Sequence, residues 1–152
     1  MQSTRLEVAG GGAAYFVEAL APGRTGKGEA WAWRRLRLTL DVLNGGRLAL
    51  RERFDGSGED LARLAAFHGM AEAWFGTVVA ISPRLADAGD LRDGIAGLEV
   101  PGCRLGLTRL GPDCWITRVV APGSQALRDT LAALRALHSA RLPFLTSDLR
   151  QV

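Results

Sequence analysis

The feature that most constrains the fold is a strict alternation of apolar and polar residues in the second quarter of the chain. Four aliphatic residues occupy every second position there: Leu36, Leu38, Leu40 and Val42. A period of two is typical of a strand with one buried face. Asn44-Gly45-Gly46 follows, which favours the positive φ angles of a tight turn, and Leu48 and Leu50 then resume the alternation. The pattern predicts an antiparallel hairpin.

A cluster of arginines occupies the polar positions around this hairpin: Arg34, Arg35, Arg37, Arg47, Arg51 and Arg53. A nucleic-acid surface usually combines a basic stripe with interleaved aromatic residues, whereas alternate residues between these arginines are apolar. We therefore interpret the cluster as the polar face of the hairpin and expect no nucleic-acid partner. Asp41 and Glu52 are the predicted cross-strand partners of the arginines.

Other segments also carry recognisable patterns. Two strands are predicted at Arg5–Val8 and Ala14–Leu20, and the intervening Gly10-Gly11-Gly12 indicates a hairpin or a strand corner. The remaining predicted elements are a helix at Glu59–Phe67, a strand at Trp74–Ile81, a helix at Asp87–Leu98, a hairpin of Arg104–Leu110 and Trp115–Val120, and a long helix capped by Ser124 and ended by Pro143.

This order of elements predicts an α+β, β-dominated fold. Antiparallel hairpins form the N-terminal part, and a strand-helix-strand-strand-helix series ending in the long helix forms the C-terminal part. The length of 152 residues fits one domain over residues 1–152, with a candidate sub-boundary near 56–58.

Composition narrows the class of protein. With 47% hydrophobic and 23% charged residues and a net charge of +3, the chain resembles an ordinary globular domain. It has no apolar run of about 18 residues and no leader-like N-terminus, so we expect no membrane association. The cytoplasm is the expected compartment.

The residue chemistry indicates no named reaction. Neither His68 nor His138 has a second histidine four positions away, and Cys103 and Cys114 form no Cys-x-x-Cys motif. The spacing of a phosphate-binding Walker loop occurs, but Glu29 stands where its lysine is required. We expect a non-enzymatic protein with no metal site and no tightly bound cofactor, and a hydrolase using one of the two thiols is a less favoured alternative.

Four segments in order resemble the UreD family of urease accessory proteins, also called UreH. Val17-Glu18-Ala19-Leu20 is similar to a glutamate-bearing strand of the family, and residues 23–29 match its Gly-Arg-x-x-x-Gly-Glu motif. The predicted hairpin closes with Glu52-Arg53, as in the family, and Trp115–Leu127 is similar to an arginine-bearing strand that leads into the C-terminal helix. The resemblance extends from Arg5 to Leu142.

The resemblance implies a scaffold for urease maturation and a stacked, β-rich fold. UreD-type proteins bind UreF-type and UreG-type accessory proteins, dock onto apo-urease subunits and assist nickel delivery, with nickel in transit through an internal channel. Helices near the C-terminus contribute to the UreF contact.

Two sets of site residues follow from the resemblance. The motif residues Arg24, Glu29, Glu52 and Arg53 are expected either to support the fold as salt bridges or to line a polar passage. The candidate partner interface consists of four residues on the C-terminal helix: Leu127, Leu131, Leu134 and His138.

Two departures from the family pattern qualify these expectations. Met1 stands where the family's chains are midway, and residues 144–149 lack the proline-rich ending. We therefore expect an exposed sheet edge that is covered by self-association or by a separately encoded partner. The alternative function is a stand-alone protein-interaction domain with a UreD-like fold and no role in urease maturation.

Overall fold

The computed structural model describes residues 1–146. The strands are β1 (Gln2–Val8), β2 (Ala14–Leu20), β3 (Gly23–Arg24), β4 (Glu29–Ala30), β5 (Leu36–Asn44), β6 (Arg47–Gly56), β7 (Trp74–Ile81), β8 (Arg104–Gly111) and β9 (Cys114–Ala121). The helices are α1 (Gly58–Phe67), α2 (Gly89–Ala96) and α3 (Ser124–Ser139), with 3-10 turns at Thr25–Lys27, Pro83–Leu85 and Pro143–Thr146. This order confirms the predicted β-dominated α+β class.

The strands form two main sheets and a short ribbon. A three-stranded sheet has the order β1-β5-β6, a four-stranded sheet has the order β2-β7-β9-β8, and β3 pairs with β4. The predicted hairpins β5–β6 and β8–β9 are both antiparallel. Strand β1, however, lies parallel to β5, while β2 pairs with β7 in the other sheet. The glycine-rich stretch 10–12 is therefore a corner between sheets and not a hairpin.

The apolar core has two layers. Between the sheets, residues of β5 such as Val42 pack against Val79 and Ile81 of β7 and Ile116 of β9. The other face of the four-stranded sheet packs against α2 and α3, whose buried residues include Leu134. Because β7 and β9 are covered on both faces, their sequences are nearly continuous apolar runs.

Helix α1 closes one end of the space between the sheets. Ser57 and Asp60 form a reciprocal capping box, and Leu61 and Ala65 are buried against the Trp31 region. The backbone of Trp31 has a φ of 60°, a left-handed conformation that is uncommon for a non-glycine residue. The Trp31 N–H donates to Pro22 O at 2.7 Å, and the Trp31 side chain packs in one apolar cluster with Leu61 and Ala65 of α1. These interactions hold the strained residue in place.

The start of α3 differs by one residue from the expectation. Ser124 was expected as the N-cap, but it is the first helical residue and Gly123 is the N-cap. The carbonyl of Gly123 already accepts the first helical hydrogen bond, from the Leu127 N–H at 3.0 Å. The helix ends at Ser139, and Leu142 is buried beyond its end, just before Pro143.

The partner of Glu52 also differs from the expectation. Asp41 does bind two arginines of the polar face, Arg51 and Arg53. Glu52 lies opposite the buried Leu40 and pairs with Arg118 of the other sheet, so its prediction as a partner on the arginine face is wrong. Local alternation describes one hairpin and carries no information about a second sheet lying over it.

Gly58 offers a test of how closely α1 approaches the Trp31 backbone. A Cβ at Gly58 would overlap the Trp31 carbonyl, whereas a Cβ at Gly89, also the first residue of a helix, meets no atom within 4 Å. Gly58→Ala should lower the free energy of unfolding by about 1–3 kcal/mol. Gly89→Ala is the matched control and should leave it unchanged or slightly raised. Urea denaturation of both variants checks this, and equal stabilities would contradict the described packing.

Candidate functional site

A pocket of about 330 Å³ lies between the two sheets beside α1. Its walls are mostly apolar and include Leu20, Leu40 and Phe75. Several polar side chains also line it: Gln2, Glu18, Glu52, Thr77 and Arg118. A small set of convergent polar groups on an apolar wall is typical of a functional pocket.

The strand register explains why these polar residues meet. Glu18 on β2 lies directly opposite Thr77 on β7, and Thr77 lies directly opposite Arg118 on β9. The three therefore form a row across three neighbouring strands. Glu52 reaches this row from β6 of the other sheet.

Arg118 is the central group of the pocket. Its guanidinium forms a salt bridge with Glu52 and donates through Nη1 to the Thr77 hydroxyl oxygen at 2.6 Å. Both members of the salt bridge are about 40% exposed, at 39% and 40%. This inter-sheet pair joins β6 to β9 in a site that remains partly open to solvent.

Glu18 is the second carboxylate of the pocket. Its Oε1 accepts a hydrogen bond from Gln2 Nε2 at 2.6 Å, which links β2 to β1 of the other sheet. Burial raises the pKa of Glu18 above its ordinary value, the Glu52 carboxylate raises it further, and Arg118 opposes both effects. Glu18 is thus the group of this pocket whose affinity for a proton is increased by its surroundings.

The carboxylates of the pocket are the candidate ligands for a cation. The two carboxylates supply oxygen ligands, but Glu52 is already neutralised by Arg118. Residues 1–146 contain no group of three or more histidine, cysteine, aspartate or glutamate residues that could hold a metal ion. A cation in this pocket would compete with a guanidinium for one of its ligands.

The predicted motif residues do not all reach the pocket. Glu52 and Arg53 line it, although the Arg53 guanidinium binds Asp41 at 2.8 Å. Hydrogen bonds from its arginine partners hold the pKa of Asp41 well below the usual range. Arg24 and Glu29 pair with each other across β3 and β4, with Nε to Oε2 at 2.7 Å, and are not among the lining residues.

The predicted interface residues of α3 lie mainly inside the chain. Leu127, Leu134 and His138 are buried in the core, and Leu131 is half-buried against it. His138 Nδ1 lies 2.7 Å from the Leu134 carbonyl, its ring packs edge-on against Tyr15, and burial lowers its pKa. Only Leu131 of the four remains available to a partner.

The two thiols lie in different environments. Cys114 is buried in the inter-sheet core, and burial, with a smaller effect of Asp113, raises its pKa to about 11. A thiol with so high a pKa is a poor nucleophile near neutral pH. Cys103 is half-buried and lies 3.3 Å from the Thr130 hydroxyl.

Sequence reasoning missed most of the polar pocket. It selected Glu52 and Arg53 but not Gln2, Glu18, Thr77 or Arg118 as site residues. Glu18 and Arg118 nonetheless stand within two of the segments that carried the family resemblance. Each of these two residues lies on a strand that matches a family motif, and this match was the sequence signal that could have identified them as site residues.

The fold and the pocket define a β-rich domain of two packed sheets, with helices on one outer face and a polar pocket between the sheets. A family model described as UreD urease accessory protein matches residues 1–150. The chain therefore belongs to the UreD family of urease accessory proteins.

Two curated relatives carry the name Urease accessory protein UreD. The protein of Opitutus terrae is 41% identical over 152 residues, which covers 99% of this chain and 56% of the relative. That of Alkalilimnicola ehrlichii is 34% identical over 128 residues, covering 84% of this chain and 43% of the relative. The chain thus spans about half the length of these relatives. Within residues 1–146, no helix is long and apolar enough to cross a membrane.

The raised pKa of Glu18 predicts a pH-dependent contribution to stability. The folded state retains this proton to a higher pH than the unfolded state, so the contribution is greatest at low pH and declines as pH rises through the folded pKa. Glu18→Gln should therefore gain stability relative to the wild type as pH rises from about 4, near the ordinary pKa of glutamate, through the raised pKa of the folded state. Asp41 and Asp55 have lowered pKa values and act below this window.

Urea denaturation across this pH range measures the effect. Glu99→Gln is the matched control, because Glu99 is exposed and does not line the pocket. The difference in the free energy of unfolding between the wild type and Glu99→Gln should stay constant with pH. A constant difference for Glu18→Gln as well would show that its pKa is not raised by the fold.

Proposed function

We propose that this chain acts in urease maturation as a non-catalytic scaffold that assists nickel incorporation into apo-urease through protein–protein contacts. The observation that carries the proposal is the convergence of family motif residues in one pocket. Glu18, Glu52 and Arg118 come from three separate matching segments and meet between the sheets. Membership of the UreD family supports the biological setting.

The pocket is proposed as a polar passage that nickel contacts in transit. Carboxylate oxygens can ligate a divalent cation, but they favour it less than imidazole or thiolate ligands do. Arg118 competes for Glu52, so contact with nickel is weak and reversible, and no cofactor is tightly bound. This combination suits the transfer of a metal ion rather than its storage.

The exposed pair Arg24–Glu29 has a separate, structural role in this proposal. It stabilises the β3–β4 ribbon, with a contribution of about 0–1 kcal/mol expected for an exposed ion pair. Arg53 similarly supports the polar face through Asp41. In this proposal the residues of the polar pocket contact the metal ion, and these two ion pairs do not.

The proposed partners are UreF-type and UreG-type accessory proteins and urease subunits in the cytoplasm. Self-association is proposed at β1, which is an edge of the three-stranded sheet and, within residues 1–146, pairs only with β5. Such an edge presents backbone groups for pairing with another strand. The alternative of a stand-alone interaction domain is favoured by none of the comparisons.

The test combines partner capture with nickel analysis. The tagged chain is expressed with UreF-type and UreG-type proteins and urease subunits of the same organism, in a host without its own UreD. The wild type should co-elute with these partners. The double variant Glu18→Gln/Glu52→Gln should retain the partners but severalfold reduce the nickel content of urease at limiting nickel, because both oxygen ligands lose their charge.

The controls distinguish the proposed scaffold role from the proposed passage of nickel through the pocket. Glu99→Gln should match the wild type in both readouts. Failure of the wild-type chain to capture any partner would overturn the scaffold role. Normal nickel content with the double variant would overturn the passage and leave the scaffold role standing.

A further inference from the structure

The outer side of the three-stranded sheet carries a charged surface that is distinct from the polar pocket. Leu40 and Val42 of β5 are buried toward the other sheet, so the alternation of the strand places Arg37 and Asp41 on the outer side. The apolar faces of α2 and α3 pack against the other sheet. We call this surface the outer arginine face, and its charged residues are Arg35, Arg37, Asp41, Arg51, Arg53 and Asp55.

The outer arginine face consists of two ion triads, each with two arginines on one aspartate. Asp55 accepts hydrogen bonds from Nε and Nη2 of Arg35 at 2.6 and 2.9 Å, and Arg37 Nη2 lies 2.8 Å from the same carboxylate. Asp41 repeats this arrangement. It binds one arginine of β6 through both carboxylate oxygens, at 3.2 and 3.1 Å, and the other at 2.8 Å.

The two triads carry more positive than negative charge. Four guanidiniums against two carboxylates leave an excess of two positive charges. Hydrogen bonds from Arg35 and Arg37 lower the pKa of Asp55 to about 2, so this carboxylate is ionised near neutral pH. The neighbouring Arg5 of β1 is paired with Glu7 and leaves the excess unchanged.

The guanidiniums form the accessible part of this face. The four arginine side chains are 47–66% exposed, whereas the two aspartates are 19% and 38% exposed. Within residues 1–146, Arg53 uses only Nη1 for hydrogen bonds, to Asp41 and to Glu52 O. Its remaining N–H groups can therefore donate to an acceptor outside the chain. Exposed ion pairs contribute little to stability, so folding does not require two arginines on each aspartate.

The charge pattern fits an acidic polypeptide better than a nucleic acid. The planar guanidinium matches a carboxylate in a bidentate pair. Alternate side chains of an extended segment are about 7 Å apart, which is also the spacing of successive residues on one side of β5. Nucleic acid is bound through many phosphate contacts and stacking on aromatic residues. Here Asp41 and Asp55 lie among the arginines, and the one aromatic residue of the hairpin, Phe54, packs in the core.

We propose that the outer arginine face binds an extended acidic segment of a partner protein, in which aspartate or glutamate at alternate positions pairs with the arginines. The inference rests on the proposed scaffold role for its biological setting, and it names the chemistry of one partner surface. The binding itself requires neither nickel nor the polar pocket.

The test uses the 152-residue chain and two fluorescent ten-residue peptides. One peptide alternates glutamate with serine, and the other alternates glutamine with serine. Fluorescence anisotropy at low salt should show saturable binding of the glutamate peptide and no binding of the glutamine peptide. Binding of the glutamate peptide should weaken as the salt concentration rises, because surface charges are screened. A double-stranded DNA oligonucleotide of ten base pairs is measured in parallel.

Variants of the chain locate the binding site. Arg35→Gln/Arg51→Gln removes the charge excess, leaves each aspartate one arginine, and should weaken binding by about three- to tenfold. Arg35→Lys/Arg51→Lys keeps the charge and should lose less binding. Arg92→Gln/Arg128→Gln is the matched control, because these exposed arginines lie on α2 and α3 and their loss changes the net charge equally. It should bind the glutamate peptide as the wild type does.

The outcomes decide whether this face binds an acidic segment. Unchanged urea denaturation of each variant would show that a loss of binding is not a loss of folding. Absence of saturable binding by the glutamate peptide, or equal weakening by both glutamine double variants, would overturn the proposal. Tighter binding of the DNA that only Arg35→Gln/Arg51→Gln weakens would assign the face to nucleic acid and overturn the proposed partner. Capture of the maturation partners by a chain that binds no glutamate peptide would overturn this inference and leave the scaffold role standing.

Discussion

The structure depends on a charged pair held between two apolar sheets. Glu52 and Arg118 come from different sheets, and their salt bridge fixes one sheet over the other at the pocket. The attraction between partly buried charges is offset by the cost of removing them from water. The net contribution of the pair to stability is therefore small, whereas loss of one member is costly because it leaves the other partly desolvated and unpaired. The hydrogen bond from Arg118 to Thr77 belongs to the same arrangement, and the Glu52 carboxylate adds to the effect of burial in raising the pKa of Glu18.

Strand β2 separates the polar pocket from the helix layer. Its successive residues point to opposite faces of the sheet, so Glu18 lines the polar pocket while Val17 lies on the α3 side. A one-residue shift of the β2 register would exchange these faces. The pairing of β2 with β7 over seven positions keeps them apart.

Local patterns in the sequence predicted the elements well and their pairing poorly. Alternation from Leu36 to Val42 and the turn at residues 44–46 identified the β5–β6 hairpin, because both strands and the turn are contiguous. The parallel pairing of β1 with β5 joins segments more than thirty residues apart, and no periodicity reports it. The same separation along the chain explains why the partner of Glu52 was not predicted. Glu52 was assigned to the arginine face because its partner, Arg118, belongs to a strand far away in the sequence.

A double-mutant cycle on Glu52 and Arg118 tests the central interaction most directly. The free energy of unfolding is measured for the wild type, Glu52→Gln, Arg118→Met and the double variant. If the pair joins the sheets as described, the two substitutions are coupled by at least about 0.5 kcal/mol, and the double variant is more stable than the sum of the single effects predicts. Strict additivity of the two substitutions would contradict the account, because it would show that the two side chains do not interact.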